Sequence, residues 1–411
     1  MEVPKFVRQT QGEPRVLISR AALQHNAQQI RRALIPQTKL CAVIKADAYG
    51  HGAALVADAL CNFSIDGSDR SAVDQLAVAT IDEAAALPDV NVPILILRPI
   101  ENVFLGRQRA ALELAIRSGW ILTIDSLSAA DDVARIAVNC QRRAMINVMI
   151  DTGMTRGGCD PESLNDLLHR IEARSSLKLV GLNSHFASCD STTDECMVDQ
   201  LRRFRHATDF YATWATKVTR HLANSGAVFF SPASHFDMVR PGISLYGIDP
   251  TLKPDVNRPL KPAMRWTAPL LSVRDVPAGS GIGYGHSFVA PRDMRVGLVP
   301  VGYADGYLRS LSNKAVMLLD DAICPVIGRV SMDMTTIDVS AADHATVGDE
   351  VTLLASDPLS PASVYELARH AETIPYEIFA RIGPRVRRVA IDPADEGAPS
   401  DASATENDAI F

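Results

Sequence analysis

Between about residue 16 and residue 246 the chain alternates short apolar runs of strand length with longer stretches of helical periodicity, and no other feature restricts its fold as much. Runs at 16–19, 40–44, 75–80, 93–97, 120–124, 144–151, 177–185 and 221–225 read as strands. Helical stretches follow at 21–34, 53–61, 82–87, 104–118 and 127–139. Further ones open at Pro161, run to Trp214, and cover 236–246. The proline suits a first helical turn because its missing N–H would have no intrahelical partner there. Repeated strand–helix units point to a parallel sheet, and about eight of them in roughly 250 residues predict an α/β fold with an N-terminal (β/α)8 TIM barrel.

Near residues 254–262 prolines and Asn257 end the alternation. Short β-rich runs follow at 264–273, 295–300, 316–319, 326–330, 335–339 and 350–354, with one helix at 361–370. They predict a mostly antiparallel C-terminal β domain. The expected organisation is therefore an N-terminal segment at 1–14 associated with that β domain, a barrel at 15–261, the β domain at 262–390 and a disordered acidic tail at 391–411. The stretch 62–74, with Gly67 and Ser68-Asp-Arg-Ser71, reads as a surface insertion.

Composition narrows the partners. A net charge of −7 without a basic run or basic–aromatic alternation argues against nucleic acid and anionic membrane, and favours a small-molecule ligand. The opening Met1-Glu-Val-Pro-Lys-Phe-Val-Arg8 lacks an apolar signal core, and no segment offers the roughly 20 apolar residues of a membrane span, so a soluble cytoplasmic protein is expected. Seven cysteines (41, 61, 140, 159, 189, 196 and 324) show no C-x-x-C pair or histidine spacing for a metal; they read as reduced, buried small hydrophobes.

The chemistry concentrates in a few stretches. Cys41-Ala-Val-Ile-Lys-Ala-Asp-Ala-Tyr-Gly-His-Gly52 delivers one lysine where an apolar strand ends and glycines begin. In a parallel barrel that end faces the ligand, which places Lys45 for chemistry. Gly281-Ile-Gly-Tyr-Gly-His-Ser287 presents Tyr284 with little steric cover. His221-Leu-Ala-Asn-Ser-Gly226 offers small residues and free N–H groups suited to a phosphate, or to a plain turn. As isolated letters, His185 would more often be structural and Arg240 a surface charge.

Val-Ile-Lys-Ala-Asp-Ala-Tyr-Gly-His-Gly closely resembles the pyridoxal 5'-phosphate lysine motif of alanine racemases, and the resemblance extends over nearly the whole chain before the tail. It implies a barrel plus β domain working as a homodimer with shared active sites, cytoplasmic and supplying D-alanine for peptidoglycan. Lys45 would hold the cofactor and act as base on one face of the substrate α-carbon. Tyr284, reaching across from the partner, would be the base on the other, since racemisation needs a proton removed from one face and returned to the opposite one. His185 and Arg240 would support that tyrosine, with Arg240 contacting the pyridine nitrogen. Tyr49, Asn224, Ser225, Gly242, Ile243 and Tyr376 would bind the cofactor phosphate. Arg156, Met332 and Asp333 would bind substrate; Tyr303, Tyr376 and Arg388 would line a narrow entry corridor that selects small side chains. No metal is implied.

One position departs from the family pattern. Many members carry a carbamylated lysine two residues before Asp151-Thr-Gly-Met-Thr-Arg156, and here it is Met149, which leaves Arg156 to be held by a chloride or by Asn147, on the same strand face by period-two alternation. The competing readings are a broader-specificity amino-acid racemase, a fold-type III decarboxylase and a barrel-only cofactor carrier. A decarboxylase is disfavoured by Arg240 and by the lack of a cysteine in the Tyr284 turn; a carrier is disfavoured by the second domain.

Overall fold

The computed structural model describes residues 13–64, 71–101, 106–189, 193–210 and 218–392. The expected N-terminal segment up to residue 12, the tail from residue 393, the middle of the 62–74 loop and the helix end expected at Trp214 lie outside the described residues.

Eight parallel strands form the first sheet: Lys39–Val43, Gln75–Val78, Ile94–Ile96, Ile121–Ile124, Ala144–Met149, Leu177–Asn183, Thr219–His221 and Met238–Val239. Consecutive strands pair, and the last returns to the first with Lys39 opposite Met238 and Leu40 opposite Val239. Backbone bonds from Asp237 N–H to Arg220 C=O (3.1 Å) and from Arg240 N–H to Ala223 C=O (2.9 Å) close the ring. The expected TIM-type barrel is thus present, but its membership differs by one strand. Residues 16–19, expected to open it, lie in Arg15–Ser19, which pairs antiparallel with Met264–Pro269 and parallel with Arg387–Ile391 in the C-terminal sheet. The eighth barrel strand is Met238–Val239, only two residues long, inside a stretch whose length suggested a helix.

The C-terminal part holds a six-stranded and a three-stranded sheet, antiparallel but for that one ladder among the described residues. The expected strand 264–273 splits into Met264–Pro269 and Ser272–Val276, which join different sheets. The run at 326–330 is not a strand: Gly328 turns to φ +77° and gives its N–H to the Asn313 side chain (2.6 Å), so Ala322–Pro325 takes the strand role instead. Val364–Ala371 is the expected helix, begun by Ser363 as N-cap. Helix Pro375–Arg381 and strand Arg387–Ile391 went unread in the sequence.

Six of the seven cysteines are buried free thiols, as expected, while Cys196 is exposed on helix Glu195–Thr208. No described helix is long and apolar enough to cross a membrane.

Candidate functional site

Strand Lys39–Val43 is buried from Leu40 onward and hands the chain, through buried Ile44, to half-buried Lys45 at the C-terminal rim of the barrel. Ala46, Asp47, Ala48 and Tyr49 then follow at φ +51 to +54°, four consecutive non-glycine residues in the left-handed region. Left-handed backbone costs L-residues roughly 1–2 kcal/mol each, so this turn persists only because its surroundings hold it. Its own bonds run from Ala48 N–H to Ile44 C=O (2.9 Å) and from Gly50 N–H to Ala46 C=O (2.9 Å). Asp47 accepts from Ala53 N–H (2.7 Å), tying the turn to helix Ala53–Cys61. Gly50, at φ +79°, is indispensable: a Cβ there would sit 2.2 Å from the Phe379 carbonyl oxygen in helix Pro375–Arg381.

This turn drives Tyr49 inward, where its ring packs 4.9 Å from Tyr246 and 6.0 Å from Tyr376. Its hydroxyl lies over Gly242; a Cβ at that glycine would be 2.4 Å from it. Beside it, Ser225 Oγ accepts from the N–H groups of Gly242 (2.9 Å) and Ser244 (3.3 Å). Asn224 Oδ1 accepts from Gly226 and Ala227 N–H, both at 3.1 Å, capping helix Ser225–Phe230. Ser244 Oγ is buried without a partner among the described residues, an unmet hydrogen-bonding group in the same corner. A buried hydroxyl left so costs free energy that a bound polar ligand would recover.

The barrel interior behind Lys45 is polar and fully connected. Arg240, 4% exposed, donates to the carbonyls of Ser184 (2.6 Å) and His221 (2.7 Å), to His221 Nδ1 (2.6 Å) and, at 3.5 Å, to His185 Nδ1. A guanidinium only donates, so His221 must present a bare Nδ1 and carry its proton on Nε2, which then donates to Asn147 Oδ1 (2.9 Å). Asn147 Nδ2 in turn donates to Thr123 Oγ1 (3.0 Å) and Asn183 Oδ1 (2.6 Å). Five strand ends thereby determine one tautomer and one aim for the arginine. Gly181 makes room for this chain, since a Cβ there would lie 2.5 Å from Asn147 Oδ1.

Electrostatics follow the same plan. Burial, then the Arg156 and Arg240 guanidinia, hold the Lys45 amine below the ordinary lysine range, with Glu83 opposing. His185 is held down to about 3 by burial, Arg240, Arg156 and Lys45; His221 lies well below its ordinary value through burial and Arg240. Burial brings Arg240 down to about 10, which leaves it charged at neutral pH. Burial and Tyr376 push the Tyr49 phenol up.

The structure therefore gathers Lys45, Tyr49, His185, Arg240, Asn224, Ser225, Gly242, Ile243 and Tyr376 at one barrel rim, with Arg156 exposed nearby. Tyr284, Tyr303, Met332 and Asp333 stand exposed on the C-terminal part of the chain. Tyr284 stands 72% exposed in a turn where Gly283 and Gly285 take φ +70° and +66°. Asp333 pairs with Arg385 (2.9 Å), which also reaches Asp305 (3.2 Å), and the Met332 carbonyl accepts from Ala304 N–H (2.9 Å), so the Tyr303 and Met332 loops form one exposed unit. Arg388 spends its donors on the carbonyls of Gly50, Gly383, Val386 and Ile382, fastening the β domain to the lysine turn. Asn147 lies inside the barrel with its polar atoms committed to Thr123, Asn183 and His221, so it does not hold Arg156. Sequence reading missed His221, whose place beside Arg240 comes from two short strands meeting, and Glu83, whose capping-box spacing to Thr80 was legible.

Family models match in two blocks, "Alanine racemase, N-terminal domain" over residues 18–250 and "Alanine racemase, C-terminal domain" over residues 263–390. An alanine racemase of Desulfovibrio desulfuricans is 38% identical over 378 residues, 91% of this chain and 97% of that protein. Solved alanine racemase structures from Clostridium difficile (31% identical, TM-score 0.83, covering 93% of this chain and 96% of that one) and Streptomyces coelicolor (34%, 0.81, 92% and 98%) share the fold.

Proposed function

Because the chain belongs to the alanine racemase family, and is an enzyme of that kind, we propose that it interconverts L- and D-alanine with pyridoxal 5'-phosphate, as a cytoplasmic homodimer supplying D-alanine for peptidoglycan. The observation that carries this reading is the lysine of lowered proton affinity facing the Arg240–His221–Asn147 chain. The residues fit the cofactor. Lys45 would hold it through its amine; the Tyr49 hydroxyl over Gly242, Ser225 and the buried Ser244 Oγ would meet its phosphate, with Asn224 capping the helix there and Ile243 and Tyr376 beside them. Arg240 would donate to the pyridine nitrogen, leaving that nitrogen unprotonated because a guanidinium accepts nothing. When bound, the cofactor supplies the electron-withdrawing ring that makes a substrate α-proton removable.

The chain's own groups do the rest. Lys45 Nζ takes or returns the α-proton on one face. Tyr284 Oη of the second subunit serves the other face, which accounts for a tyrosine left 72% exposed within one chain. His185, uncharged through the neutral range, stands between Arg240 and that tyrosine as a hydrogen-bond partner. Arg156 and the Met332–Asp333 segment would receive the substrate carboxylate, and Tyr303 with Tyr376 and Arg388 would narrow the entry.

Purified protein incubated with pyridoxal phosphate and L-alanine in deuterium oxide tests this directly. Loss of the α-proton signal with D-alanine appearing on a chiral column is expected. Exchange without inversion would refute the two-base assignment, and absence of both with cofactor bound would refute alanine as substrate.

A further inference from the structure

The glutamate in the first turn of helix Ile81–Ala85 reaches out of its own strand–helix unit into the preceding one. One carboxylate oxygen, Oε1, accepts from Ala46 N–H at 2.9 Å. The other, Oε2, accepts from Ala79 N–H at 2.6 Å and from Thr80 N–H at 3.3 Å. Its backbone N–H donates to Thr80 Oγ1 (3.2 Å), which completes a capping box. We propose that Glu83 is a positioning residue for Lys45, clamping the left-handed turn that carries the lysine to the adjoining strand end and balancing the positive charge gathered around the amine.

Sheet register makes the clamp possible. Val43 lies opposite Ala77 and Ile44 N–H donates to Ala77 C=O (2.8 Å), so Lys45 and Ala79 leave the barrel side by side. Ala46 N–H is the donor directly after the lysine, and such first-turn donors have no partner within their own helical turn. Glu83 supplies it, which ties the first residue of the four-residue left-handed run to a second rigid element. Asp47 cannot substitute, since its carboxylate accepts from Ala53 N–H (2.7 Å) on the far side of the turn. Around the amine, Arg156 and Arg240 act together with burial to favour the neutral lysine, and Glu83 is the charge acting against them. The inference rests on the reading of Lys45 as the working amine.

Glu83→Gln separates this role from helix capping, because glutamine also closes a capping box. Its amide keeps one acceptor but turns an NH2 toward either Ala46 N–H or the Ala79 and Thr80 N–H groups, where donor meets donor. Thr80→Ala is the control that weakens the cap and leaves the carboxylate. The full-length chain, freed of cofactor and reductively methylated with carbon-13 formaldehyde, is titrated by NMR, with the Lys45 signal assigned by its loss in Lys45→Ala; amide hydrogen exchange of the 45–49 segment is followed in parallel. Glu83→Gln is expected to lower the Lys45 midpoint by about half a pH unit or more and to speed exchange of that segment about tenfold, while Thr80→Ala changes neither. An unmoved midpoint in Glu83→Gln, or an equal shift in Thr80→Ala, would overturn the proposal. Neither readout needs turnover, so an inactive preparation would count against the racemase reading and not against this one.

Discussion

Gly242→Ala perturbs one contact and little else. Gly242 has φ −118°, outside the left-handed region that favours glycine, so the steric contact decides the outcome. The new Cβ would lie 2.4 Å from Tyr49 Oη and 3.0 Å from Tyr49 Cζ, where an ordinary contact needs about another ångström. The ring has little room to move: it packs against Tyr376 and against Tyr246, whose own hydroxyl is fixed to the Val43 carbonyl at 2.9 Å. Overpacking of this kind costs about 1–3 kcal/mol. Displacing the hydroxyl also removes one hydrogen bond to a charged phosphate, worth about 1.5–3 kcal/mol, so cofactor affinity should fall by roughly tenfold to 150-fold. Equilibrium dialysis of pyridoxal phosphate against parent and variant, with a thermal melt of each, measures both effects. Cofactor affinity within twofold of the parent would refute the assignment of the Tyr49–Gly242 corner to the phosphate.

Two further outcomes follow from the same geometry. Mixing inactive Lys45→Ala and Tyr284→Phe subunits should restore about one intact site per mixed dimer, and hence about a quarter of parental activity in an equimolar random mixture; no recovery after confirmed subunit exchange would remove Tyr284 from the partner's site. His51, His221 and His235 are buried and His185 is half-buried, all with pKa values depressed in the folded chain, so the stability they support is present above pH 6.5 and is lost as pH falls below it. Unfolding should therefore take up at least about three protons per chain near pH 5, each worth about 1.4 kcal/mol per pH unit, read from urea midpoints between pH 6.5 and 5. An uptake below about one proton would mean that these rings are charged in the native state.

Much of the site was readable because its parts sit in short, distinctive strings. Lys45 follows an apolar strand and precedes Gly50 and Gly52, and the structure shows what those glycines do: one lies under the Phe379 carbonyl, the other carries the chain at φ +90° into the next helix. The polar chain behind the lysine left no such trace. Thr123 and Asn147 are each one polar letter in an apolar strand, Asn183 ends a strand that also holds Lys178, His221 closes the polar run Thr219-Arg220-His221, and only the barrel's closure links them by hydrogen bonds of 3.0 Å or less. Alternation could not say what lies across the barrel from Asn147, whose partners are Thr123, Asn183 and His221 and not Arg156. The misplaced first strand has a related cause. Arg15–Ser19 has the apolar run and following helix of a barrel unit, and its true neighbours begin some 250 and 370 residues later, beyond the reach of any local pattern. Met238–Val239 is too short to show a period at all.

Arg15–Ser19 lies between Met264–Pro269 and Arg387–Ile391, and among the described residues the latter pairs with no other strand of its sheet. A β domain expressed from residue 262 onward would therefore be a sheet with a missing slat: one strand becomes a bare edge and another loses its only partner. An open edge of that kind invites pairing with another molecule. The two halves of this protein are consequently separable by eye and not by scissors. A fragment needs the strand before the barrel to seal the strand that ends the β domain, so the strand that reads as the start of the barrel works as the latch of the other domain.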